Sequence, residues 1–201
     1  MNRTVIIILS IVGALVLIGL LFVGWGISVY NKIVTADEGI KSAWSQVENQ
    51  YQRRYDLIPN LVETVKGFAK QEREVLENVT AARARVGQLA VTPEILNDPN
   101  AFEKFQQAQD GLSSALSRLL VVTENYPTLR SNENFLTLQS QLEGTENRIS
   151  VERRRFNETV QSYNTMIRRF PASFVASMTG FKEKAYFTAT AGADQAPKVK
   201  F

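Results

Sequence analysis

Asp56, Asn60 and Glu63 follow one another at steps of four and three, so on a helix they share one face and could present paired acids or oxygen ligands for a hard cation. The first two lie in YQRRYDLIPNL, Tyr51–Leu61, which crowds two arginines, an aspartate and a proline into a stretch of otherwise helical character. The chemistry open to them is narrow. The 201 residues include no histidine and no cysteine, which excludes Cys/His zinc sites, Ser-His-Asp and Cys-His nucleophiles and histidine general bases. An enzyme would have to work with carboxylates, lysines or tyrosines alone. No glycine-rich loop or second carboxylate cluster completes a site around Asp56, and a charged helix face is ordinarily just solvated. No catalytic residue, metal or cofactor is expected.

Arg53, Arg54, Asp56 and Pro59 read instead as residues that shape a helix or form a hinge. One helix could end near Tyr55, with Arg53 and Arg54 at the negative end of its dipole, Asp56 capping the next helix and Pro59 in its first turn. Alternatively one helix continues through Pro59. The apolar series Val47, Tyr51, Ile58, Leu61, Val65 and Phe68 keeps its phase across the proline, which favours the continuous helix. That helix loses a hydrogen bond at the carbonyl of Tyr55, and a compensating donor is expected nearby. Arg54 itself occupies a seam position, as does Arg153 further on. The pair suggests a polar layer inside a bundle, matched by carboxylates such as Glu63, Glu146 or Glu152. The run Arg153–Arg155 with Arg168 and Arg169 could attract anionic lipid, but the interleaved Glu146, Glu152 and Glu158 point to a solvated face with intrahelical ion pairs.

The elements that position these residues are helical throughout. Val5 to Ile27, VIIILSIVGALVLIGLLFVGWGI, carries no charge over about 23 residues, roughly 35 Å of helix. It is too long for the apolar core of a cleaved signal, about 7 to 15 residues, so residues 1–30 are read as a transmembrane anchor, with the bilayer met through residues 5–27. Ser10, Ala14, Leu17, Leu21, Gly24 and Ser28 form a seam with small residues at each end, through which two such helices could associate. Arg3 and the terminal amine on one flank, against Lys32 and Lys41 on the other, lean toward an amino terminus inside and a soluble domain on the extracytoplasmic side.

Residues 31–181 then carry the four-three apolar spacing of coiled coils and bundles. A first segment runs from Ile33 through Ile40 and Trp44 to Val86. The turn signals of residues 91–100 follow, with Asp98 as an N-cap before Pro99. A second helix carries Phe102 to Val122, and a third, capped by Ser131 or Asn132, carries Phe135 to Phe170. A short apolar turn, SFVASM, lies beyond Pro171, and residues 182–201 are expected to be an extended or disordered tail. Nothing reads as a strand. The fold class is all-α: an N-terminal transmembrane helix and an antiparallel bundle of three long helices plus a short C-terminal one.

At 1.5 Å per residue, a first helix over residues 31–88 would be roughly 87 Å long, against about 39 and roughly 58 Å for the other two. Either it breaks, or its apolar Ile33, Ile40 and Trp44 need another chain. Self-association through these residues, together with Gly24 and Ser28 in the membrane, is therefore expected. A net charge of +3, from 23 basic and 20 acidic side chains interspersed along the chain, is too small a surplus to argue for nucleic acid.

The segments AWSQVENQYQRRYDLIPNLVETVKGFAKQE, LSSALSRLLVVTENYPTLRSNENFLTLQSQLEGTENRISVERRRFNETVQSYNTMIRRFP and GFKEKAYF, in that order behind a single span, resemble the LemA family of bacterial membrane proteins. The resemblance covers residues 30–187 and implies an N-terminally anchored helical bundle in the bacterial cell membrane. It assigns no catalytic residue. It implies association with membrane proteases or other membrane proteins, and a role in organising membranes like that of a relative that helps form magnetosome membranes. The function expected is a self-associating scaffold and not an enzyme. The alternative is a tethered sensor or adaptor that binds a peptide, lipid or small ligand between helices.

Overall fold

Prolines, polar caps and one left-handed glycine set where the helices begin and end. A computed structural model describes residues 3–69, 71–89 and 92–188, and among them there is no strand. Helix α1 spans Arg3–Phe68 and α2 spans Arg73–Gly87; a short 3-10 turn, Pro93–Asn97, leads into α3, Pro99–Thr123. A single turn, α4, covers Pro127–Arg130, and α5 and α6 cover Glu133–Arg168 and Ala172–Thr179. The carboxylate of Asp98 accepts hydrogen bonds from the backbone N–H groups of Asn100 (2.9 Å) and Ala101 (3.3 Å), with Pro99 at the first helical position. Of the two expected caps for α5, Asn132 is the one used: its Oδ1 accepts from the N–H of Phe135 at 3.0 Å. Helix α6 closes on Gly180, whose φ of 80° is open to glycine at no steric cost, and Phe181 N–H returns to the carbonyl of Ala176 at 3.1 Å.

Helix α1 runs without interruption through Pro59, as the phase of the apolar series requires. It does not run on to Val86. The helix ends at Phe68 and α2, beginning at Arg73, goes back, which adds a helix of 15 residues to the three long ones expected in the bundle. The apolar series could not reveal the break, because a helical hairpin returns its stripe to the same core: Val65, Ala69, Leu76, Val79, Ala82 and Val86 are all buried. Lys66 in the last turn of α1 and Glu74 in the first turn of α2 match the two helix dipoles.

The chain forms two compact units, residues 41–160 with 184–201 and residues 1–40 with 161–183. In the first, contacts fix the helix directions. Tyr55 meets Arg83 of α2 (3.2 Å), so α2 is antiparallel to α1. Trp44, Arg54 and Glu72 meet Phe102, Ser113 and Tyr126 in that order, so α3 runs parallel to α1. Arg54 and Trp44 meet Glu146 and Phe156, which makes α5 antiparallel. The result is an antiparallel four-helix arrangement. Its aliphatic core draws Ile58, Leu61 and Val65 from α1, Leu76 and Val79 from α2, Leu112, Leu116 and Leu119 from α3 and Phe135 and Leu142 from α5.

Trp44 is not left for a second chain. It is fully buried, with its ring 5.4 Å from Phe105, 5.7 Å from Phe156 and 6.1 Å from Phe187. Ile33 and Ile40 are also fully buried within the single chain. The expectation that these three residues need a partner chain is therefore corrected, since their apolar surface is already out of water.

Residues 184–188 have no regular secondary structure but are pinned in this unit. Asn157 exchanges two hydrogen bonds with the backbone of Phe187 (2.8 and 2.9 Å), and Gln106 does the same with Thr188 (2.8 and 3.2 Å). Residues 189–201 of the expected tail lie outside the described residues.

In the other unit, α1 carries one segment long and apolar enough to cross a membrane, with a mean hydropathy of 2.4 and none of it buried. Tyr163 and Ile167 of α5 are buried, and the Tyr163 hydroxyl donates to the carbonyl of Lys182 at 3.1 Å. Phe170, last in the apolar series of the third helix, falls beyond the end of α5 and is 89% exposed.

Replacing Asp98 with alanine leaves two N–H groups at the start of α3 without an acceptor. The expected loss is about 1 kcal/mol of unfolding free energy, read as a lower midpoint in a denaturant titration, with Asp98→Asn recovering most of it.

Candidate functional site

Three apolar series in the bundle each skip a turn. Tyr51 to Ile58 on α1, Phe105 to Leu112 on α3 and Ile149 to Phe156 on α5 leave Arg54, Gln109 and Arg153 at core-facing positions. Packed together, the gaps form one polar layer. Arg54 is only 1% exposed. Its Nη1 donates to Ser113 Oγ at 2.6 Å and to Glu146 Oε1 at 2.7 Å, and its Nη2 donates to the side chain of Gln109 and, at 3.4 Å, to that residue's carbonyl. Its Nε has no acceptor among the described residues. Arg153 donates from Nε to the hydroxyl of Tyr51 (2.6 Å) and from Nη2 to Asp110 Oδ1 (3.1 Å). Both guanidinium groups lie within cation–π reach of the Tyr51 ring, at 5.2 and 5.5 Å.

Each cation in the layer thus has its own anion, Arg54 with Glu146 and Arg153 with Asp110. Burial pushes the Tyr51 phenol above its ordinary range, against the opposing pull of Arg153, so Tyr51 stays protonated and accepts a hydrogen bond. Each carboxylate accepts a hydrogen bond from its arginine. The arrangement does structural chemistry: a charged tie of fixed direction among α1, α3 and α5.

A second device answers Pro59. The Tyr55 carbonyl, freed by the proline, accepts from Arg83 Nε at 3.2 Å, and the guanidinium lies 3.7 Å from the centre of the Tyr55 ring. A Cβ on Gly87 would sit 2.8 Å from the Tyr55 hydroxyl, so glycine is what lets the ring lie against α2. Tyr51, Tyr55, Gly87 and Gln109 also line a groove of about 300 Å³.

The other expected residues do less. Arg53 and Pro59 are exposed, and Asp56, inside a continuous helix and so no cap, accepts from Gln52 at 2.8 Å. Glu63 pairs with Lys66 on the surface and the half-buried Glu152 pairs with Arg155 of its own helix, so of the three carboxylates weighed for the layer only Glu146 joins it. Asp56, Asn60 and Glu63 form a solvated face, and no metal-holding cluster of three or more His, Cys, Asp or Glu occurs among the described residues. Gly24 and Ser28 are exposed on α1. Gln109, Asp110, Ser113 and Arg83 were not anticipated. Gln109 was legible as the gap between Phe105 and Leu112, whereas Asp110, Ser113 and Arg83 become visible only when the helices are placed side by side.

The layer, its proline device and the aromatic cluster all lie within the region matched by the LemA family model, residues 43–201. The chain belongs to the LemA family. Its relatives include the magnetosome protein MamQ of Magnetospirillum gryphiswaldense and MamQ 2 of Paramagnetospirillum magneticum, each 29% identical over 174 residues and covering 79% of this chain. The chain spans 64% of the length of these relatives. Protein LemA of Metamycoplasma hominis is 22% identical over 160 residues, covering 80% of this chain and 69% of that protein. With its apolar N-terminal helix, this LemA-family chain is a membrane-associated, single-pass protein.

Arg54→Ala should cost about 3 kcal/mol, the lower end for breaking a buried pair because Glu146 keeps some water, whereas Glu63→Ala should leave the thermal midpoint unchanged. Arg54→Met, which fills the space, should recover part of the loss. Alkaline titration offers a separate check. Burial, aided by Asp37, pushes the Tyr163 phenol from 10.0 to about 12. The unfolded chain loses this proton first, so the contribution of Tyr163 to stability is intact below pH 10.0 and declines as pH rises toward 12. Absorbance of ionised tyrosine should include a late-titrating component that Tyr163→Phe reduces.

Proposed function

We propose that this LemA-family protein is a membrane-anchored helical scaffold that self-associates through its span and organises partners or the membrane around a rigid bundle. One observation carries the reading. The bundle covers its own apolar interior, with Trp44 enclosed by the chain's own aromatic residues and Arg54 and Arg153 each paired with a carboxylate inside it. Its outer faces and its anchor are therefore what it offers to others. In the anchor, Gly24 and Ser28 are exposed, and no atom lies within 4 Å of where a Gly24 Cβ would be, which suits close approach of a second helix in lipid. Partners of the scaffold would be membrane proteins, a membrane protease among them. The anchor is assigned to the bacterial cell membrane with the bundle on the extracytoplasmic side, a reading that leans on Arg3 and on the relatives' bacterial hosts.

The groove beside Tyr55 and Gly87 favours a second reading, an adaptor that takes a small ligand or peptide side chain there, because its volume reaches the lower bound for ligand sites.

Light scattering of the intact protein in detergent or nanodiscs separates the two. The scaffold requires particles larger than one chain, reduced to monomer by Gly24→Ile with Ser28→Ile. A monomeric wild type would overturn it and leave the adaptor.

A further inference from the structure

Helix α6 ends the unit that contains the span, and its surface is unusual for an element in water. Phe174 and Met178 lie four residues apart on α6, so they form a stripe on one face, 59 and 73% exposed, and Phe170, just before the helix, is 89% exposed. The opposite side is anchored: Ala176 is buried, and the reversal at Gly180 brings the Phe181 ring to 6.0 Å from Tyr30. The depth of α6 follows from what it touches. Phe174, Val175 and Met178 share an apolar groove of about 310 Å³ with Phe22, Trp25 and Ile27, which belong to the last turns of the membrane-spanning segment. Side chains lining one groove with the span stand at the level of the bilayer, at its boundary with water. Trp25 and Tyr30 at the same level are residue types enriched at that boundary.

We propose that α6 is a second membrane-contacting element, with Phe170, Phe174 and Met178 inserted between the headgroups and acyl chains of the leaflet from which the span emerges. Its occupant is lipid, because the stripe is continuous with the surface of the span that lipid already covers. Exposed cations bracket the stripe: Arg168, in a loose surface pair with Glu183 at 3.7 Å, Arg169 and Lys182. They are placed to meet lipid phosphates. A single span leaves a bundle free to swivel about one point, and a second contact in the same leaflet restrains the membrane-proximal unit at two.

The absence of cysteine allows a direct test in the intact protein. Phe174→Cys, Met178→Cys, Leu17→Cys in the span and Ser114→Cys on the bundle surface are each labelled with a nitroxide. They are reconstituted in phosphatidylcholine/phosphatidylglycerol vesicles and challenged with oxygen, which concentrates in lipid, and with a water-soluble nickel chelate. Labels at 174 and 178 should behave as the one at 17 does, several-fold more accessible to oxygen than to nickel, while the label at 114 shows the reverse. Nickel accessibility at 174 and 178 equal to that at 114, with 17 still in lipid, would overturn the proposal and leave the span intact. Protection at 174 and 178 from both reagents would also overturn it, since protein would then cover the stripe.

Discussion

The bundle depends on one buried cation. Arg54 carries a charge that cannot be discarded and that is costly to hold away from water, so α1, α3 and α5 must meet at the register that brings Gln109, Ser113 and Glu146 to its guanidinium. Apolar packing alone would tolerate sliding by a turn, because one four-three stripe fits another at several offsets. A forked donor with fixed acceptors does not. Arg153, Tyr51 and Asp110 repeat the constraint on the neighbouring turn, and the aromatic residues around Trp44 fill the space beyond. Stability is a secondary outcome of such a layer, since an apolar isostere often does as well. What the layer adds is uniqueness of alignment.

The same economy appears at Pro59. The proline removes a hydrogen bond from α1 and leaves the Tyr55 carbonyl open, and an arginine from α2 both donates to it and lies over the tyrosine ring. The defect becomes a contact between α1 and α2, and Gly87 leaves the room the ring needs. Within YQRRYDLIPNL, Arg54 and the Tyr55 carbonyl freed by Pro59 hold helices together, while Arg53 and Asp56 face solvent.

Exposed apolar surface is concentrated on the span and α6. Around Trp44 and the aliphatic core, large side chains are covered by the protein itself. On the span and on α6 they are not, and in a membrane protein that pattern marks where the solvent is lipid.

Much of this was legible in the linear chain. Helical class, the long apolar N-terminal helix, the Asp98 cap, the continuity of α1 through Pro59 and the need for a donor at Tyr55 all follow from local chemistry, because hydropathy, capping and proline geometry act within a few residues. The end of α1 at Phe68 was hidden, since the two arms of a hairpin share one apolar stripe. The burial of Ile33, Ile40 and Trp44 by the chain's own helices, the choice of Glu146 over Glu63 and Glu152, and the recruitment of Asp110, Ser113 and Arg83 were settled only by tertiary structure. Those outcomes rest on which residues, distant in sequence, come within hydrogen-bond or van der Waals distance, and periodicity tells which face of a helix is buried without telling what stands opposite it.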